Sequence, residues 1–262
     1  MIIALDDAAW TAPWRQIRVG DKLLLSMGLV VTALVAPAWP AAPLVALAAV
    51  ALTLAPARIP ARVLAIGCAA PLTFITISAA SVAIQVGPAP ADAWFALGPI
   101  SMDATTAATG LAVFGRSAAG TLAILLLATT TPMVDLLGWV RRRGLPGPLV
   151  EVASLTYRLL FVLLEVAIGI RAAQLARLGD APGGGLRGVV RRWNSLATAM
   201  GAVLVRSWDR AARLTEGLAA RGIDGTLEPL TPRLPSSPRF VAGSLALIAG
   251  IWAAVGAWAV LA

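Results

Sequence analysis

Apolar residues run through this chain in long blocks rather than in alternation, and proline, glycine and charge set the breaks between them. The first block, Leu23 to Pro37, ends in the turn Pro37 to Pro40, and a second continues from Leu44 to Ala55, so the pair reads as a short helical hairpin. Pro56 to Pro60, with Arg58, interrupts the pattern before a third block from about Val63 to Val86. A Gly/Pro-rich loop from Gly87 to about Asp103 then leads into a fourth, roughly Leu111 to Ala128, and a last block runs from Phe240 to Ala262 behind Pro235, Pro238 and Arg239. A helix crossing the bilayer core takes about 20 mostly apolar residues, and the pattern predicts five spans.

The stretch between the fourth and last blocks is patterned differently. Thr131 and Pro132 read as an N-cap and first helical residue, followed by an apolar stripe of Val134, Leu137 and Val140. That helix ends in Arg141, Arg142 and Arg143 and is stopped by Gly144, Pro146, Gly147 and Pro148. Leu149 to Leu178 follows as a second helix, apolar enough to resemble a span. Its Glu151, Arg158 and Glu165 recur on one side at heptad spacing, which argues against lipid on that face and for a cytoplasmic or interfacial position. A third helix from about Arg191 to Arg221 gathers Arg206, Arg210 and Arg213 on one face, with Trp208, Ala212, Thr215 and Ala219 on another, and sets Asp209 to pair with Arg213.

Composition agrees with a membrane solvent: of 262 residues 59% are hydrophobic and 13% charged, too apolar for a domain with a charged surface in water. The expected fold is all-α and polytopic. Residues 1–130 form an N-terminal bundle of four spans, residues 131–239 a helical domain, and residues 240–262 the last span. The N-terminal segment Met1 to Gly20 carries Asp6, Asp7, Arg15 and Arg18 and has no apolar core of a cleavable signal peptide.

Positive charge orients the chain. Arg15, Arg18 and Lys22 precede the first span, Arg58 and Arg62 separate the second from the third, and 15 of the 21 Lys and Arg residues fall in Thr131 to Arg239. Short loops rich in Lys and Arg stay cytoplasmic. The N-terminus and the inserted domain are therefore expected in the cytoplasm of a bacterial inner membrane, with the C-terminus outside. A crossing by Leu149 to Leu178 would put Arg187 to Arg239 outside, against this bias. Arg116, near the outer start of the fourth span, reads as a structural residue that snorkels or pairs within the bundle.

Candidate chemistry is sparse. The chain has no histidine and one cysteine, Cys68, within an apolar run, so the N and S ligands favoured by transition metals are missing. It has no Gly-rich loop ending in Lys-Ser/Thr to cradle ATP phosphates. The sharpest local signal is a pair of similar helix ends, Ala176-Arg177-Leu178-Gly179 and Ala219-Ala220-Arg221-Gly222, with their arginines 44 residues apart. One Arg-Gly end is explained by the helix dipole and a glycine cap. Two on successive helices present two guanidinium forks to acidic sites on a partner.

With these ends in place, the sequence resembles the transmembrane, or T, component of energy-coupling factor transporters, whose cytoplasmic helices end in two Ala-Arg-Gly-like motifs. The second motif matches at Ala220, Arg221 and Gly222, and Ser207 to Gly222 looks like that family's second coupling helix throughout. In the first, at Ala176, Arg177 and Leu178, leucine stands where the family has glycine. Thr129 to Leu137, Leu155 to Leu163 and Leu5 to Trp10 with Asp21-Lys22 look like the cobalt-type branch. The resemblance implies a non-catalytic subunit that grips two ABC ATPase subunits through these motifs, supported by Arg206, Arg210 and Arg213, and holds a separate substrate-capture membrane subunit. ATP would be bound by the ATPases, and this chain would hold no cofactor or metal of its own.

Other readings stand beside it. A T component for nickel or a vitamin shares the same motifs. A conventional permease would line its own path, for which Arg116 and Gln85 alone are a thin stripe. A membrane-embedded enzyme would draw on Asp209, Glu216, Asp224 or Glu228, whose spacing favours pairing with nearby arginines. Nucleic acid as a partner has little support, since the basic residues already follow membrane topology.

Overall fold

The computed structural model describes residues 2–86, 94–97, 100–176, 185–222 and 234–261. In chain order these are α1 (Ile2–Thr11), a short 3-10 turn (Pro13–Gln16), α2 (Val19–Val35), α3 (Ala38–Leu54), α4 (Ala61–Ala83), β1 (Gln85–Val86), β2 (Phe95–Leu97), β3 (Ile100–Met102), α5 (Ala104–Thr130), α6 (Met133–Arg141), α7 (Gly147–Ala176), α8 (Gly185–Ala219) and α9 (Pro238–Leu261). The chain divides into two compact units, Met1–Trp139 with Pro232–Ala262, and Val140–Thr231.

The first unit is a helical bundle built around α5, which packs along α2, α3 and α4 and also meets α1. Its core joins Leu25 and Leu29 of α2, Val45 of α3, Ala119, Ala123 and Leu126 of α5, and Ile251 and Val255 of α9. Small residues bring the helices close, since lipid supplies little hydrophobic drive between them and backbone approach must supply van der Waals contact instead. At Gly110 an added Cβ would lie 2.8 Å from the Ala79 carbonyl oxygen and 2.8 Å from the Ala83 Cβ. Polar side chains then stitch the bundle: Ser26 Oγ donates to the Ala123 carbonyl at 2.6 Å, and Trp252 Nε1 donates to Thr32 Oγ1 at 3.2 Å.

Several boundaries differ from the sequence pattern. The fourth span begins at Ala104 because Asp103 caps it: its Oδ1 accepts from the Thr106 amide at 2.7 Å and from Thr105 Oγ1 at 2.8 Å, while Thr106 Oγ1 accepts from the Asp103 amide at 3.1 Å. The polar Thr105, Thr106 and Thr109 had hidden these turns from an apolar count. β1, just before the Gly87 to Asp103 loop, pairs with β3 and β3 with β2 inside it as a small antiparallel sheet, Val86 and Leu97 both opposite Ile100, and the flanking Trp94 is 69% exposed. The second span starts earlier than Leu44, at Ala38, across a non-helical Trp39.

By length and composition α4, α5, α9 and residues Gly147–Ala173 of α7 can each cross a bilayer, and α3 is a shorter apolar helix. This is a multi-pass membrane protein. Within α7, Arg158 and Glu165 are exposed and Glu151 half-buried, so the charged seam anticipated from the sequence lies on a helix whose hydropathy matches that of the spans.

In the second unit α7 and α8 pack together. Tyr157 and Phe161 meet edge to face in α7, ring centres 5.1 Å apart. The 35 residues of α8 make a helix about 50 Å long. It starts before Arg191, where the sequence pattern had placed its beginning.

Candidate functional site

The arginine-rich helix end is built by α8. Arg206, Arg210 and Arg213 are all exposed, and at 100° per residue they share one face with Arg221. Val189, Trp193, Met200 and Leu204, also exposed, form an apolar stripe roughly a third of a turn round the helix from them. The helix closes in a tight turn, with the Ala220 amide donating to Glu216 O at 2.9 Å, the Arg221 amide to Leu218 O at 3.1 Å and the Gly222 amide to Ala219 O at 3.0 Å. Gly222 takes φ +66°, a left-handed cap conformation that favours glycine, and Arg221 stands exposed one residue before it. Among the described residues, the Arg221 side chain thus stands exposed at the end of a long helix.

Ala176 ends α7 and is exposed, while Arg177 and Leu178 lie outside the described residues. Asp209 and Glu216 are exposed on α8, and Asp224 and Glu228 fall outside the described residues. No ion pair joins Asp209 to Arg213 among the described residues, although the helical spacing permits one. Among those residues no group of three or more His, Cys, Asp and Glu side chains is arranged to hold a metal.

The first unit contains a polar junction whose contacts the sequence did not reveal, although Asp21-Lys22 stood out in it as a family-like pair. Lys22, 3% exposed, sits one residue before the first apolar run, and its Nζ donates at 2.8 Å to the carbonyl of Thr130, the last residue of α5. Burial lowers the Lys22 pKa to about 8, opposed by the carboxylate of Asp135 and assisted by Arg15. Asp135 of α6 pairs with Arg15 at 3.6 Å, and Arg15 stacks over the Trp10 ring at 4.2 Å. The neighbouring Asp21 accepts from Ser236 Oγ at 3.1 Å and from the Ser237 amide at 2.9 Å. These contacts fix the end of α5, the start of α6 and the entry to α9 to the N-terminal segment. The sequence hints were the clustering of charge before the first span and the likeness of Leu5 to Trp10 with Asp21-Lys22 to the cobalt-type branch.

Arg116 has the structural part anticipated for it. Its Nη2 donates to the carbonyl of Ala36, the C-cap of α2, at 3.2 Å, satisfying a carbonyl the helix leaves open. Asp103 is held below the usual carboxylate range by the Thr106 amide and the Thr105 hydroxyl, in keeping with its capping role.

Comparison with known proteins places this architecture. The CbiQ family model, described as cobalt transport protein, matches residues 12–232. A cobalt transport protein CbiQ of Rhodobacter capsulatus is 39% identical over 97% of this chain and 98% of its own. One of Salmonella typhimurium is 32% identical over 48% of this chain and 54% of its own. A putative fused cobalt transport protein CbiMQ of Methanocorpusculum labreanum is 27% identical over 85% of this chain and 37% of its own. With a model spanning most of its length and a near-full-length relative in agreement, this multi-pass membrane chain belongs to the CbiQ family of cobalt transport proteins.

Proposed function

We propose that this chain is the transmembrane coupling subunit of an energy-coupling-factor importer for a transition-metal cation, cobalt before nickel. It passes ATP-driven motion of two ABC ATPase subunits to a separate substrate-capture membrane subunit. The observation that carries the reading is the exposed Arg221 held before the left-handed Gly222 at the end of α8. A rigid helix ending in an exposed arginine is suited to an acidic groove on a soluble partner, because charge-assisted, bidentate contacts give both affinity and a fixed angle. Arg177 takes the same part at the first motif, with Arg206, Arg210 and Arg213 adding to the positive face.

Division of labour follows from what the residues offer. The chain has no histidine, one cysteine and no phosphate-cradling loop, which suits ATP hydrolysis and metal capture on other subunits. The Methanocorpusculum relative is named as fused and continues well beyond the part matched here, which supports a second membrane component working beside a chain of this kind. In this reading the N-terminus and the α6–α8 region face the cytoplasm of a bacterial inner membrane, and the C-terminus faces outside.

The test is purification from native membranes in mild detergent, wild type against an Arg177→Glu, Arg221→Glu double variant. Two ATPase chains should accompany the wild type and be lost from the variant, with uptake abolished and membrane insertion intact. Retention of the ATPases by the variant would overturn the assigned role of these arginines. A histidine-bearing membrane partner would favour a metal over a vitamin as cargo.

A further inference from the structure

A cavity of about 380 Å³ opens in the first unit where α2 and α9 begin and α3 ends, walled by Trp14, Leu25, Leu52, Phe240 and Leu247 with Arg239 at its rim. We propose that it binds one anionic phospholipid of the surrounding bilayer, an acyl chain in the groove and the phosphate at Arg239. The inference is independent of the coupling reading.

Depth is the first argument. Leu247 stands nine residues after Pro238 in α9, roughly 14 Å along the helix at 1.5 Å per residue. Half of the hydrocarbon core is about 15 Å. The groove therefore runs from one membrane interface to near the midplane, the depth of a single leaflet.

The lining is the second. Trp14, 8% exposed, packs edge-on to Phe240 with ring centres 5.0 Å apart and forms a firm apolar wall. The Ser244 hydroxyl in the lining donates to the Phe240 carbonyl of its own helix at 2.8 Å, so that donor is already used. A water molecule needs two to four polar partners, and such a wall gives it few. An unbranched hydrocarbon chain needs none.

Size and charge select the occupant. A helix is about 10–12 Å across, so one inserted to this depth would fill on the order of 1,000 Å³, far more than the groove contains. The volume lies instead in the range of about 300–1,000 Å³ typical of small-molecule sites. Arg239 is exposed at the rim, and Asp21, the acid tied to the same segment, already accepts from Ser236 and Ser237. Basic pockets at the interface end of transmembrane helices suit anionic headgroups. Gly243 lines the same groove, and a Cβ added there meets nothing within 4 Å, so a side chain at this position would start into the lipid's volume.

The experiment is native mass spectrometry of the full-length chain in detergent, titrated with palmitoyl-oleoyl phosphatidylglycerol or with the matching phosphatidylcholine. Wild type should retain one phosphatidylglycerol in preference to phosphatidylcholine by about fivefold, the weight of one basic residue near the membrane surface. Arg239→Gln should abolish the preference and Arg239→Lys largely keep it. Gly243→Leu should lower occupancy by both lipids, with an unchanged melting temperature in lipid-free detergent. A preference surviving Arg239→Gln, or full occupancy in Gly243→Leu, would overturn the site. A photoreactive benzoylphenylalanine placed at 243 in native membranes gives a second decision that does not depend on the leucine variant folding. A lipid-sized adduct supports the site, whereas a protein-sized adduct or no adduct counts against it.

Discussion

Gly110→Ala measures how tightly α4 and α5 are pressed together. The new methyl would sit 2.8 Å from the Ala79 carbonyl oxygen and 2.8 Å from the Ala83 Cβ, closer than real Cβ atoms come to such neighbours. Because the obstacle is mainly backbone, the helices themselves must part. Overpacking of this kind costs about 1–3 kcal/mol, while alanine recovers up to about 1 kcal/mol of helix propensity. Gly120→Ala in the same helix meets nothing within 4 Å and keeps only the propensity gain. The difference between the two variants thus isolates the seam at about 1–3 kcal/mol, and at about 2–4 °C per kcal/mol this separates their melting temperatures by roughly 2–12 °C. Gly28→Ala should lie between them, since its clash is with the movable Cδ1 of Ile248. The assay is thermal unfolding of the purified chain in detergent, followed by loss of the monodisperse peak. Equal shifts for Gly110→Ala and Gly120→Ala would refute the close approach of α4 and α5.

Three further outcomes follow from the same geometry. The Lys22 pKa is about 8 in the folded chain against an ordinary 10.5, so between those values the unfolded chain holds a proton that the folded one has lost. Stability should therefore rise with pH across that window, by on the order of 3 kcal/mol. The burial cost is fully present below pH 8. Melting temperatures from pH 7 to 10 should climb in the wild type relative to Lys22→Met, and parallel profiles would sink the idea. Asp103→Ala removes the capping box of α5 and should cost about 0.5–2 kcal/mol in the same melting assay; no loss would mean that the cap is dispensable. A periplasmic phosphatase reporter fused after Ala262 should be active if five helices cross the membrane and α7 does not, whereas an inactive phosphatase with an active cytoplasmic reporter at the same point would make α7 a sixth span.

Much of the architecture was legible because a bilayer imposes a coarse rule. Every backbone polar group in the hydrocarbon must be satisfied inside the protein, and a continuous run of about 20 apolar residues does so by itself only as a helix. The spans now seen as α4, α5 and α9 were visible on that ground. The ends of α6 and α8 were also legible, since Gly144 was expected to stop its helix and Gly222 to cap its own in a left-handed turn, and both take positive φ. α7 was harder to place. Its hydropathy reads as a span while its heptad of charges reads as a solvated or protein-covered face, and periodicity alone does not report what lies against a helix.

Contacts between distant segments were beyond any local pattern. Lys22 and Thr130 are 108 residues apart, Arg116 and Ala36 are 80, and Asp21 and Ser236 are 215. In the sequence Lys22 was a positive charge before a span and half of the family-like pair Asp21-Lys22, and only tertiary packing made it a buried donor closing the end of α5. The small strands beside Trp94 likewise depend on a pairing that brings Val86 and Leu97 to Ile100 from either side. Hydropathy suffices to identify which long segments are apolar enough to enter the membrane, because solvent acts on each segment separately. Which side chains close those helices, and where a groove opens between them, only the folded bundle decides, because each such contact needs two or three segments at once.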